Sequence, residues 1–171
     1  MEQEGFIKKV LGSFVNTHKE INSDTEELDA RYRWLKYFVE DVLGYSGNEY
    51  HIEKKRADIT IFDEQQRSVI KIETKRPQPL SRESVESQAL KYAESTTKFI
   101  GATNFIRLWL WEREGHKFNL KVDLDFDAIL KHDRKKFDID IISASDKGNI
   151  LYLENLRKEF IHSPEKYQDF N

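Results

Sequence analysis

The chain has 171 residues, of which 38% are hydrophobic and 12% aromatic, enough for a single domain with a substantial core. It contains no cysteine, which excludes disulfides and cysteine-ligated zinc. Its 28 basic residues are outnumbered by 31 acidic ones, and a net charge of −3 excludes strong nucleic-acid binding by bulk charge alone.

The first twenty residues, MEQEGFIKKVLGSFVNTHKE, are too charged for a signal peptide. They read as an amphipathic helix with Phe6, Val10 and Phe14 in register. No transmembrane run is present in the sequence, and a cytoplasmic setting is the simple expectation. Residues 24–45 predict a second helix, with Leu28, Tyr32, Leu35, Val39 and Val42 at helical spacing. Asp24 with Glu27 is an acidic variant of the capping box, and Gly44 is a stop signal.

Residues 57–77, ADITIFDEQQRSVIKIETKRP, predict a hairpin. If residues 64–67 form a four-residue loop, Asp63 lies opposite Ser68, Ile61 opposite Ile70, Ile59 opposite Ile72 and Asp58 opposite Glu73. A one-residue slip would send the isoleucines to opposite faces, so the apolar pattern favours this register. Period-two alternation then puts Lys71, Glu73 and Lys75 on one face.

Downstream, Ser81 can cap a helix running to about Ser95. Strands are expected over 98–103 and 104–113, the latter with Leu108 and Leu110 set against Trp109 and Trp111. A further strand, 117–122, would return around Glu114-Gly115. Residues 125–132 and 150–160 read as helices. The run Asp123, Asp125, Asp127 lacks the Gly and distal Glu of a calcium loop, so helix capping explains it better. The five histidines form no convincing metal pair.

Asp58, Glu73 and Lys75 interrupt segments that otherwise read as buried. Directly opposed carboxylates have Cβ atoms roughly 5 Å apart and repel. A divalent cation between them turns that repulsion into a site. Mg2+ suits it, since it takes oxygen ligands and needs only one or two protein carboxylates alongside phosphate. An ammonium on the same face can contact an attacking water and a phosphate.

The pattern D-x14-E-x-K on a hairpin resembles the PD-(D/E)xK nuclease superfamily, with Ala57 in place of the usual proline. The run Glu73-Thr74-Lys75-Arg76-Pro77 is similar to the E-x-K-R-P signature of the N-terminal nuclease domains of type I restriction motor subunits and related single-chain restriction–modification enzymes. Gln88 and Tyr92 form the Q-x-x-x-Y of the same families, Leu43-Gly44-Tyr45 matches the end of their first helix, and Thr103-Asn104 matches their next strand end. The resemblance covers about residues 24–113.

The resemblance implies an α/β restriction-endonuclease-like fold, a mixed, mainly antiparallel central sheet flanked by helices. It implies Mg2+-dependent hydrolysis of DNA, with Mn2+ as a substitute ion. Asp58 and Glu73 would hold the metal, with the Thr74 carbonyl and Glu27 as further ligands. Lys75 would orient the water, supported by Gln88 and Tyr92. The cluster Lys54, Lys55, Arg56, Lys71, Arg76 and Arg82 would meet the DNA backbone. Residues 53–91 carry a local net charge of +2 and the remainder −5. A weakly basic cutting module of this kind is expected to be delivered to double-stranded DNA by helicase, methyltransferase or target-recognition modules within a longer polypeptide. It would dimerise for double-strand cleavage. In this reading the nuclease core spans about 24–122, and 123–171 is a helical appendage. Two alternatives stay open: a catalytically inactive DNA-binding or docking module of the same fold, and a junction-resolving nuclease.

Overall fold

The computed structural model describes residues 2–19, 21–53 and 57–162. Six strands form one sheet in the order of the chain: β1 (Tyr50–Ile52), β2 (Ile59–Phe62), β3 (Ser68–Thr74), β4 (Phe99–Thr103), β5 (Arg107–Glu114) and β6 (Lys117–Asp125). Only β3 and β4 run parallel, so the sheet is mixed and mostly antiparallel, as expected. The parallel pair needs a crossover, and helix α3 (Arg82–Leu90) supplies it.

The β2–β3 register is the one the isoleucines dictate: Ile59 opposite Ile72 and Ile61 opposite Ile70. At the loop end it departs from expectation. Phe62, not Asp63, faces Ser68, because the register shifts after Ile61. Asp63 instead closes the loop, its carboxylate accepting from the amides of Gln65 and Arg67. Strand β1, a short edge strand, has no counterpart in the sequence expectations.

Alternation splits the sheet into two faces. Ile59, Ile61, Ile70, Ile72, Leu108 and Leu110 join the larger core. Helices α1 (Gln3–His18) and α2 (Glu27–Trp34) cover it with Phe6, Val10, Phe14 and Trp34. On the other face Val85 and Ala89 of α3 pack on Ile100, Ala102, Trp109 and Trp111. The leucine and tryptophan sets of β5 thus part as their alternation predicts.

Helix α2 corrects two expectations. It begins at Glu27, not beside Asp24, whose amide is instead bonded to the Asn22 side chain. Its buried residues are Ala30, Arg31 and Trp34, while Leu28 and Tyr32 point outward at 64% and 73% exposure. A π-helical turn over Leu35–Glu40 then rephases the helix, which brings Leu35, Val39 and Val42 inward. Gly44 ends the segment at φ +92°, a conformation that costs glycine least. Leu43 and Tyr45 tie this corner to the chain's far end: the Lys158 amide donates to the Leu43 carbonyl, and the Tyr45 hydroxyl to Leu156.

Beyond β6 the expected helices are re-cut. Asp125 caps only a short α4 (Phe126–Ile129). Helix α5 (Ala144–Tyr152) starts earlier than expected because the Ser143 hydroxyl accepts from the Asp146 amide. The backbone is extended at Arg157 before α6 (Lys158–Ile161). These elements are no appendage to the packing. Phe126, Ile150, Leu153, Leu156 and Ile161 belong to the same core as α1 and the sheet, with Phe126 stacked on Phe14. Phe126→Ala is therefore expected to cost about 3–5 kcal/mol in denaturant unfolding, where a detachable tail would cost almost nothing. Among the described residues no helix is long and apolar enough to cross a membrane.

Candidate functional site

Strand β3 is buried along its whole length, yet it carries a lysine and a glutamate. Both lie on the α3 side, where Glu73 pairs in register with Ala102. At this end of the sheet four elements meet: the start of β2, the end of β3, the first turn of α2 and the last turns of α3. Asp58 immediately precedes β2, so the Ile59–Ile72 pair sets it beside Glu73.

Thr74 is the hub. Its amide donates to Asp58 Oδ2 at 2.7 Å. Its hydroxyl lies 3.0 Å from Glu27 Oε2 and 3.3 Å from Asp58 Oδ2. The resemblance implies a carbonyl ligand at Thr74, whereas the contacts that join it to the acids run through its amide and hydroxyl. Arg31, one turn after Glu27, completes the group. Its Nε donates to the Thr74 hydroxyl at 3.0 Å, and its Nη2 pairs with Glu27 and lies 3.4 Å from Asp58 Oδ1.

Lys75 is held from three directions. Its amide donates to the Thr103 carbonyl at 2.9 Å, and its ammonium sits 3.2 Å from Glu73 Oε1 and donates to Gln88 Oε1 at 3.1 Å. Helix α3 is fixed for this contact by Val85 and Ala89 in the core and by the Trp111 indole donating to Glu86. The Thr103-Asn104 turn adds a second brace. Asn104 donates to the Gln78 carbonyl, which holds the loop that follows Lys75.

Tyr92 does not join this group. Helix α3 ends at Leu90 rather than near 95, so Tyr92 sits in the turn that follows it. The Lys91 ammonium lies over its ring. Among the described residues no hydrogen bond links Tyr92 to Lys75.

The basic residues separate as well. Lys71 is only 4% exposed, and its ammonium is committed to Glu94 at 2.6 Å, so it does not face a DNA backbone. Arg76 is exposed beside the site, and Arg82 is partly exposed near Glu83. Lys54, Lys55 and Arg56 lie outside the described residues.

The electrostatics are those of crowded acids. Burial pushes the Asp58 carboxyl above the usual carboxylate range, against the Thr74 amide and Arg31, which pull it down. Burial and then the charge of Asp58 raise Glu73, with Lys75 opposing. Among the described residues no group of three His, Cys, Asp or Glu side chains is already placed to hold a metal ion. A two-carboxylate site still fits, since Mg2+ needs no more. Glu73 Oε2 is buried without a hydrogen-bond partner, and a cation would satisfy it.

No protein-family model, curated protein or solved structure matches this chain. Arg31 is the site residue that sequence reasoning misses. The available signal was its position four residues after Glu27. The apolar spacing of Leu28 and Tyr32 masks it, because a helix with those residues inward sets Arg31 at the edge of the buried face.

A stability consequence follows from Glu73. Its folded-state pKa is raised, so the folded protein binds the proton more tightly than the unfolded chain does. The stability this gives is full in acid and is lost as pH rises through the raised value. Glu73→Gln is therefore expected to stabilise the metal-free protein at pH 8 and to change it little near pH 4. Thermal unfolding in chelator at the two pH values checks this.

Proposed function

We propose that this domain is a Mg2+-dependent endonuclease of the PD-(D/E)xK type, hydrolysing phosphodiester bonds in DNA. The observation that supports it best is the buried, unpartnered Glu73 Oε2 beside Asp58, with Lys75 pinned on the same face. A salt-bridged structural cluster has no reason to leave one carboxylate oxygen bare in the interior.

Asp58 and Glu73 would hold the cation, with Glu27 and the Thr74 carbonyl as further ligands. When bound, Mg2+ would acidify water and offset charge on the phosphate. The protein's own groups do the positioning. Lys75, oriented by Gln88 and Glu73, donates to the attacking water or a non-bridging phosphate oxygen and offsets charge that builds there. The new bond forms between the water oxygen and phosphorus as the P–O bond to the leaving sugar breaks, with the water's proton passing to solvent and the leaving oxygen taking one from solvent. Arg76, exposed next to Lys75, and Arg82, on the first turn of α3, would meet backbone phosphates, which carry no base identity. The low basic charge suits a module delivered to DNA by a partner domain.

The rival reading is a docking module that keeps this fold without catalysis. Calorimetric titration with Mg2+ separates the two. The wild-type chain is expected to bind the ion, and the Glu73→Gln protein, kept folded, to lose that binding. Equal heats from both would favour the docking module.

A further inference from the structure

The acids from α2 and β2 are already bridged by a cation, and it is covalently part of the chain. Arg31 is 6% exposed, on the inner side of α2 next to Ala30. Its guanidinium reaches three groups on three elements: Glu27 on α2, Thr74 on β3 and Asp58 before β2. It is too deeply set to touch a nucleic-acid backbone. Its contacts are unequal. The pair with Glu27 is close, whereas Asp58 Oδ1 lies 3.4 Å away, at the limit of a useful hydrogen bond. Glu73 Oε2, buried without a hydrogen-bond partner, has no share in it.

Building on the nuclease reading, we propose that Arg31 is an internal stand-in for the metal and that cation binding is an exchange. Before a divalent ion arrives, Arg31 offsets the charge of Glu27 and Asp58 and keeps both in place. When the ion takes Asp58 and Glu73, the weak Arg31–Asp58 contact is given up and the Glu27 pair is kept. Arg31 is thus a positioning residue that stabilises the empty site and lowers its affinity for the ion.

This gives a pair of effects with opposite signs. Arg31→Gln is expected to lower the thermal midpoint in chelator, because two partly buried acids lose their counter-charge. It is also expected to tighten Mg2+ binding. In a water-like dielectric a single charge about 6 Å from a divalent ion is worth roughly a tenfold change in affinity. Arg31→Lys keeps a charge next to Glu27 but lacks the fork that reaches Asp58. It is expected to fold and to bind Mg2+ with an affinity between the other two.

The experiment is calorimetric titration of the 171-residue chain with MgCl2, as wild type, Arg31→Gln, Arg31→Lys and Asp58→Asn, with thermal unfolding of each in chelator. Tighter binding by the Gln and Lys proteins alongside lower metal-free midpoints supports the exchange. If Arg31→Gln does not fold, the Lys protein decides by the same criterion. Wild-type binding that Asp58→Asn abolishes, with no tightening in the Arg31 variants, overturns the exchange and leaves the nuclease reading standing. No binding by any of the four overturns both.

Discussion

Lys75→Ala is expected to reduce Mg2+-dependent DNA cleavage by at least about a thousandfold while leaving Mg2+ binding and the fold intact. The size follows from what the ammonium does. A fixed donor aimed at developing charge in a site shielded from water is worth about 10²–10³ in rate, and Lys75 also orients the nucleophile. The fold should survive because the removed group is partly exposed and the strand is held by its ladder to β4, including the Lys75 amide on Thr103. Rate measurement on a plasmid substrate, with circular dichroism as the folding control, checks this. A lysine whose only task is to balance Glu73 would give a stability change without a rate change.

Asp58→Asn is the second large effect. Asparagine keeps the size of the side chain and an oxygen to accept from the Thr74 amide, but it removes the charge. With Asp58 neutral, Glu73 loses the carboxylate opposite it, and Glu27, already paired with Arg31, does not replace it. Mg2+ binding and cleavage should therefore disappear together, unlike in the Lys75 variant, where only cleavage is lost. The stability change should be small, because Asp58 is raised in pKa by burial and its charge is already disfavoured in the fold. Metal-free thermal unfolding at pH 8 checks this part. A loss of several kcal/mol would mean that the Asp58 charge is there for Arg31 alone.

How much of this was legible before the structure depended on which residues carried the information. The β2–β3 register was legible, because Ile59, Ile61, Ile70 and Ile72 can be buried together in only one alignment. That alignment also brought Asp58 to Glu73. The loop end was not, because the Asp63 side chain forms local bonds that compete with the ladder. The inner face of α2 was misread because two stripes are available, and Trp34 with Phe38 outweighs Leu28 with Tyr32 by buried area. Gln88 is legible by motif and does reach Lys75, whereas Tyr92 lies in the turn after α3 with no hydrogen bond to Lys75 among the described residues. Lys71 could not be told from a surface lysine without knowing that Glu94 would cover it. The place of residues 126–161 in the core was invisible for a simpler reason. Their apolar residues are spaced for short, broken helices, which have no single period to detect.

The measurement that bears most directly on the central claim is conversion of supercoiled duplex DNA to the nicked form by the purified 171-residue chain. It should be run with Mg2+ and with chelator, beside the Asp58→Asn and Lys75→Ala proteins. Nicking that needs Mg2+ and is absent from both variants is the predicted result. Nicking by either variant at the wild-type rate, or by the wild type in chelator, would contradict the account.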